Sequence, residues 1–263
     1  MDGGNSFFKD SERRSVALKE VGINFYAVGV SGGEKGALLG PSIMPSGDKE
    51  VYQIIEPILT KIAAKKNNEP FCRYLGRLGA GHYVKMVHNG IEYADMQLIA
   101  ETILIMKRAG YDNEFIANTL EKWNQGSIQS YLFDITCKIM REKENDQYLV
   151  DLIEDISNHK GTGKWTAQQA LEQDVNVSLI SAAFMARLMS GVTTMRDTFQ
   201  NKTKPKIDID IDVLKKAYGL GKITAYAQGF ALYQDASTRF DYQLDLEAIA
   251  TIFRAGCIIQ SEL

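Results

Sequence analysis

The rhythm of apolar positions along this chain changes near residue 79. From about 23 to 78 they come as short runs separated by turns, with one helical stretch. Ile23–Val30 is rich in β-branched and aromatic residues and reads as a buried strand entering a glycine turn. Lys49–Lys65 places Ile54, Ile55, Ile58, Leu59, Ile62 and Ala63 at helical spacing. Phe71–Leu75 reads as another short strand. Strand, helix and strand in that order predict an α/β layer.

From 79 onward the pattern predicts helix after helix. His82–Arg108 carries Val84, Val87, Ile91, Met96, Leu98, Ile99, Ile103 and Met106, and Gly110 offers a stop. Asn113–Trp123, Ile128–Glu142, Tyr148–Ser157, Thr166–Glu172, Ser178–Gly191, Asp210–Asp241 and Asp245–Ile259 follow as helical stretches. Asp112 is placed to cap the first of these. Gln200–Lys206 reads as a polar, exposed loop. The fold class is therefore mainly α: a residual α/β segment over 1–78, then an all-α domain over 79–263.

Composition changes this picture little. Apolar residues make up 45% of the 263 and charged residues 24%, an ordinary balance for a soluble globular protein. A net charge of −3 gives no reason to expect nucleic acid as a partner. Cys72, Cys137 and Cys257 stand too far apart for a disulfide framework or a zinc site, and read as reduced, buried thiols. No apolar run approaches the ~20 residues that cross a bilayer, and no secretory signal is visible. The expectation is a cytoplasmic protein with no membrane partner and no metal.

Candidate chemistry concentrates in Lys85-Met-Val-His88-Asn89-Gly-Ile-Glu92-Tyr93. Spacings of three and four put these polar groups on one face of a helix. Lys85 and Glu92 are separated by a rise of about 10 Å, too far for a direct pair but suited to two ends of one small substrate. The plain alternative is a pair of solvated surface charges. Ser31-Gly32-Gly33 follows a predicted strand, where backbone amides can approach an anion; a simple tight turn fits equally. Lys160-Gly-Thr162-Gly-Lys164-Trp165-Thr166 is not Walker A, because Trp165 takes the Ser/Thr place. A lysine and a hydroxyl on a flexible glycine segment can still bind a phosphate. Arg187 lies in an apolar stretch and calls for an anionic partner, either a structural carboxylate or a ligand. His82 and His159 lack metal-ligand spacing and read as structural or exposed, and Tyr226, Gln228 and Met140 as core or interface residues.

Gly79-Ala-Gly-His-Tyr-Val-Lys85-Met-Val-His88-Asn89-Gly-Ile-Glu92-Tyr93-Ala-Asp-Met-Gln97 closely resembles the active-site helix of the 6-phosphogluconate dehydrogenase family. Seven further segments match in order: Asp2-Gly-Gly-Asn5-Ser6, Gly29–Glu34, Gly40–Pro45, Lys160–Thr166, Ala183–Arg187, Lys222–Gly229 and Arg254–Ile259. The resemblance implies a Rossmann-like remnant followed by the helical domain, oxidative decarboxylation of 6-phosphogluconate with NADP, and a homodimer. It implies Lys85 as the general base and Glu92 as the acid that protonates the enediol. It implies that Asn5, Ser31, Gly32, Gly33, His88 and Asn89 hold the carboxylate and hydroxyl end, and Tyr93, Lys160, Thr162 and Arg187 the phosphate. Asn5 is also the one cofactor-binding position that aligns.

The family pattern also includes an N-terminal strand, Gly-rich turn and helix for the dinucleotide pyrophosphate, and a C-terminal tail that reaches the neighbouring subunit. Neither is found in these 263 residues, and Gly76-Arg-Leu-Gly79-Ala-Gly81 has the wrong spacing to replace the first. The expectation is a truncated 6-phosphogluconate dehydrogenase, inactive or impaired as an isolated chain. A non-catalytic helical module that dimerises and binds a phosphosugar is the alternative.

Overall fold

A computed structural model describes residues 1–200 and 205–263. The α/β part contains helix α1 (Phe8–Glu20), strand β1 (Ala27–Ser31), helix α2 (Gly33–Leu39), strand β2 (Ser42–Ser46), two short helices, α3 (Lys49–Tyr52) and α4 (Glu56–Ile62), and a hairpin, β3 (Lys65–Lys66) and β4 (Glu69–Pro70). The helical part begins with α5 (Ala80–Arg108) and continues through α6 (Asn113–Trp123) and α7 (Tyr131–Arg141). A second hairpin, β5 (Lys143–Glu144) and β6 (Gln147–Tyr148), and a 3-10 turn at Leu149–Asp151 follow. Then come α8 (Thr162–Glu172), α9 (Ser178–Ser190), α10 (Thr193–Gln200), α11 (Ile211–Arg239) and α12 (Leu246–Ile252). Helix dominates, as the periodicity predicts.

β1 and β2 pair antiparallel, with Ala27 opposite Ser46 and Ser31 opposite Ser42. A parallel bridge joins Asp2 to Ala27 on one side, and another joins Ile43 to Cys72 on the other. The strand expected at Phe71–Leu75 is thus a single bridge, extended by Ile43 donating to Phe71 and Leu75 to Pro45. The sheet lies directly on the first turns of α5. A Cβ on Gly81 would fall 2.1 Å from the Met44 carbonyl and 2.5 Å from that of Ala27, so only glycine allows the approach.

Three elements differ from expectation for local reasons. Lys49–Lys65 is two helices because Pro57, in the first turn of α4, has no amide to continue the ladder from α3. Tyr148–Ser157 is largely irregular beyond the 3-10 turn, since Asn145 and Asp146, both at positive φ, close a tight hairpin that takes Tyr148 as strand. Asp245–Ile259 ends at Ile252, and Gly256, at φ 70°, turns the chain under Ala64. Helices α1 and α10 are too polar overall, and α2 too short, to be read from apolar positions; α1 buries only Phe8 and Ser11. Of the loop expected at Gln200–Lys206, Gln200 closes α10, Pro205 and Lys206 are exposed, and 201–204 lie outside the described residues.

Helix α5 is the spine. Its apolar face joins Tyr83, Val84, Val87, Ile91 and Ala94 to Ile180 and Phe184 of α9 and Leu232 and Tyr233 of α11. At its centre Asp95 is fully buried and receives bonds from Lys222 Nζ at 2.8 Å and Tyr218 at 2.6 Å, both on α11. A second core, around Met106, Leu120, Trp123 and Phe133, unites the end of α5 with α6 and α7. Asp112 caps α6 by accepting from the Phe115 amide at 2.7 Å.

Candidate active site

Five of the expected site residues lie on α5: Lys85, His88, Asn89, Glu92 and Tyr93. Lys85 is 7% exposed, yet among the described residues it makes neither a hydrogen bond nor an ion pair. Burial pushes its ammonium below the usual lysine range, while Glu92 and Cys257 act in the opposite sense. Burial likewise pushes the Glu92 carboxyl up, against the pull of Lys85 and Arg187. The helix therefore holds a lysine biased toward the neutral amine and a glutamate biased toward the protonated acid. That is a base and an acid on one face. The reading of these two as solvated surface charges is overturned by their burial.

Ser31 closes β1 against this face. Its Oγ stands 3.2 Å from His88 Nε2, and His88 Nδ1 is 3.1 Å from Asn89 Oδ1. Asn89 Nδ2 donates in turn to Thr162 Oγ1 at 3.0 Å. A row of hydrogen bonds therefore crosses from the sheet, over α5, to the first residue of α8. His88 is fully buried and packs edge-on against Phe253. Burial, then the Lys85 charge, hold its pKa well below the ordinary histidine value, and Glu92 Oε2 lies 3.8 Å from Nδ1. Gly32 and Gly33, both at positive φ, form the turn after Ser31 and lead straight into α2.

The opposite end is cationic. Thr162 opens α8, so the stretch expected to be a flexible glycine loop is ordered as a helix from Thr162 onward. Thr166 fixes that turn by donating to the Met86 carbonyl of α5. The first turn of α8 carries no acidic residue, leaving its amide end unneutralised. Lys160, just before it, is exposed. Arg187, on α9, stacks its guanidinium 3.7 Å over the Tyr93 ring and donates to the Asn158 carbonyl and Met96 sulfur. The structural carboxylate partner considered for Arg187 is not found among the described residues.

Asn5 is exposed on the loop between the Asp2 bridge and α1, with no hydrogen bond to this cluster. The parallel bridge at Asp2 nevertheless sends Asn5 and Ser31 toward the same end of the sheet, where α/β layers bind ligands. His82 is structural, held by Ser11 and the Asp2 carbonyl, and His159 accepts from the Gly161 amide. Tyr226 anchors the Ile259 carbonyl, and Gln228 accepts from the first amides of α9. The Asn89–Thr162 contact had no sequence signal. Cys257 is a buried free thiol, as expected, and burial pushes it up to about 12 although the Lys85 charge opposes this. A cleft of about 600 Å³ between Lys19, Asp48, Arg77 and Asp245 shares no lining residue with the Lys85 cluster.

The sequence model of the 6-phosphogluconate dehydrogenase C-terminal domain matches residues 81–263, and that of the NAD binding domain of 6-phosphogluconate dehydrogenase matches 1–76. The chain belongs to the 6-phosphogluconate dehydrogenase family. It is 47% identical over 275 residues to the NAD(+)-dependent, decarboxylating 6-phosphogluconate dehydrogenase of Bacillus subtilis, covering all of this chain and 58% of the relative. It is 48% identical over 272 residues to the decarboxylating enzyme of Escherichia coli K12, with the same coverage. The fold superposes on Plasmodium falciparum 6-phosphogluconate dehydrogenase with a TM-score of 0.94 at 42% identity, covering 99% of this chain and 58% of that one. That protein has been solved apo, with its cofactor NADP+ and with its substrate 6-phosphogluconate. The chain thus spans just under three fifths of the length of these relatives. No described helix is long and apolar enough to cross a membrane.

Proposed function

We propose that the cluster around Lys85 is the 6-phosphogluconate site of an NADP-dependent oxidative decarboxylase that yields ribulose 5-phosphate and CO2. One observation carries this reading: Lys85, nearly buried and without a partner among the described residues, shares a helix face with a Glu92 whose carboxyl is biased toward the acid. Structural lysines at such burial are paired, as Lys222 is with Asp95. In this reading the neutral Lys85 amine takes the proton of the substrate's C3 hydroxyl. The dinucleotide, when bound, supplies the hydride acceptor. The ammonium then left on Lys85 stabilises negative charge at the new carbonyl as CO2 departs. Glu92 donates the proton that completes the enediol's conversion to the ketose. Asn5, Ser31, Gly32, Gly33, His88 and Asn89 hold the carboxylate and hydroxyls; Tyr93, Lys160, Thr162 and Arg187 hold the phosphate.

Residues 1–78 then act as the closing part of the dinucleotide domain and 79–263 as the substrate and dimerisation domain of a cytoplasmic homodimer. The matched spans of the two family models, which divide near residue 80, support that division. Asn5, which the parallel Asp2–Ala27 bridge directs toward the Ser31 end of the sheet, fits the nicotinamide side of NADP. For the pyrophosphate the fit fails within these residues: β1, the Gly32–Gly33 turn and α2 form a strand–turn–helix, but β2 returns antiparallel rather than as a parallel βαβ unit. The polypeptide of residues 1–263 is therefore expected to bind 6-phosphogluconate in calorimetry and to give no NADPH absorbance. Lys160→Ala should weaken binding about tenfold, near 1.4 kcal/mol. Absence of binding, or binding indifferent to Lys160→Ala, would remove the proposed site; robust turnover would show that orientation by a pyrophosphate cradle is dispensable.

A further inference from the structure

The row Ser31–His88–Asn89–Thr162 has three internal links: 3.2 Å from Ser31 to the ring, 3.1 Å from the ring to Asn89, and 3.0 Å from Asn89 to Thr162. Each link consumes one proton. With a neutral imidazole the row owns four usable protons: one on each hydroxyl, one on the ring and one on the amide. Three close the links, so a single hydroxyl proton remains to point outward. With Asn89 donating to Thr162, as in the structure, the ring proton sits on Nδ1 and Ser31 donates to Nε2. Thr162 then has the free proton. Turning the amide over reverses every link, moves the ring proton to Nε2 and frees the proton of Ser31 instead. The two ends are mutually exclusive donors.

A ligand with an anion at each end asks both hydroxyls to donate. Only the imidazolium satisfies it, because both ring N–H groups then donate inward and both hydroxyl protons turn outward. We infer that His88 is a positioning residue that couples the Ser31 and Thr162 ends of the pocket and takes up a proton when a carboxylate and a phosphate occupy them together. This rests on the reading of the site as a 6-phosphogluconate pocket. It adds that loss of the carboxylate as CO2 removes the demand at Ser31 and returns the ring to its neutral Nδ1–H form.

The charges around the ring set the bias that the ligand must overcome. On its own helix His88 faces Lys85, which opposes protonation, and Glu92 at 3.8 Å. β1 presents only Ser31. The end of α12 and the turn beyond it present the Phe253 ring and the neutral Cys257 thiol. Lys160 and Lys164 at α8 and Arg187 on α9 add positive charge from the phosphate side. Burial and the Lys85 charge favour the neutral ring; the anions of a bound sugar acid offset them.

The test uses the 263-residue chain with its histidines labelled by nitrogen-15. It has only three, and His88→Asn assigns the signal. Three probes separate the ends: gluconate, ribose 5-phosphate and 6-phosphogluconate. The expected ring states are Nε2–H, Nδ1–H and the imidazolium. Calorimetry in two buffers of different ionisation enthalpy should show proton uptake for 6-phosphogluconate alone. Thr162→Val, close to isosteric, frees the amide to turn, so 6-phosphogluconate should leave its ring neutral; Thr162→Ser should restore the uptake. The same ring state with all three probes overturns the inference, as does an imidazolium that survives Thr162→Val. If 6-phosphogluconate fails to bind the unaltered chain, the reading of the pocket has failed rather than the coupling within it.

Discussion

Lys85, which is 7% exposed and makes no ion pair among the described residues, is held against its own hydration. Because its pKa in the folded chain lies below the ordinary 10.5, the native state binds fewer protons than the unfolded chain below that pH. Lys85 thus favours folding at alkaline pH, and the advantage is lost as pH falls from 10.5 toward the folded value. Lys85→Met should raise the unfolding free energy by about 1 kcal/mol at pH 7, with the gain shrinking toward pH 10. Urea unfolding at both pH values checks it; a variant less stable at pH 7 would mean that Glu92 holds the ammonium more strongly than burial opposes it. The shared face of Lys85, His88, Asn89 and Glu92, and its placement beside Ser31, were legible from spacing and resemblance. The partners of Asn89 and Arg187 were not. Thr162 is 73 residues from Asn89, and the Tyr93 ring beneath Arg187 is supplied by a different helix.

Elements were legible where one apolar face does most of the packing. The expected start of α5 lies two residues from the observed one, and Asn113–Trp123 matches α6 at both ends, because long amphipathic faces and the Asp112 cap are local signals. The split at Pro57 was readable in principle, since a proline removes a ladder bond, but the run of isoleucines across it outweighed that cue. The beginning of α8 was hidden because Gly161 and Gly163 look like a loop. A Cβ on Gly163 would stand 2.5 Å from the Tyr93 ring, so that glycine serves helix packing rather than flexibility. Gly81 has the same role more severely, facing two backbone carbonyls that cannot move independently of the sheet. Gly81→Ala should therefore cost about 3 kcal/mol and separate the Ser31 strand from α5. Thermal unfolding measures the cost, and loss of the proposed 6-phosphogluconate binding reports the separation. A fully stable variant would show that the sheet can ride outward on the helix.

At the scale of the molecule, α5 connects everything that the site needs. The sheet bears Ser31 on its first turns, α8 and α9 bring Thr162 and Arg187 to its middle, and α11 backs the whole length. The Asp95–Lys222–Tyr218 cluster, in which both ionic partners are 0% exposed, ties α11 to α5. The apolar packing on either side is close as well, with Gly221 against Leu98 and Gly229 against Ile91, and a charge pair in a dry interface adds an arrangement that has to be satisfied. Nothing in the sequence marked Asp95 for this, since its partner lies 127 residues away. Asp95→Asn leaves the Lys222 ammonium buried with no counter-charge and should cost about 3–5 kcal/mol. The double substitution Asp95→Leu with Lys222→Met removes the desolvation penalty along with the attraction and should fall within about 1 kcal/mol of the unaltered chain. Denaturant unfolding compares the two. If the double variant is as unstable as Asp95→Asn, the cluster contributes by filling volume rather than by pairing. If it is stable yet binds 6-phosphogluconate at least tenfold more weakly, the ion pair serves to hold the register that brings the ends of the pocket together.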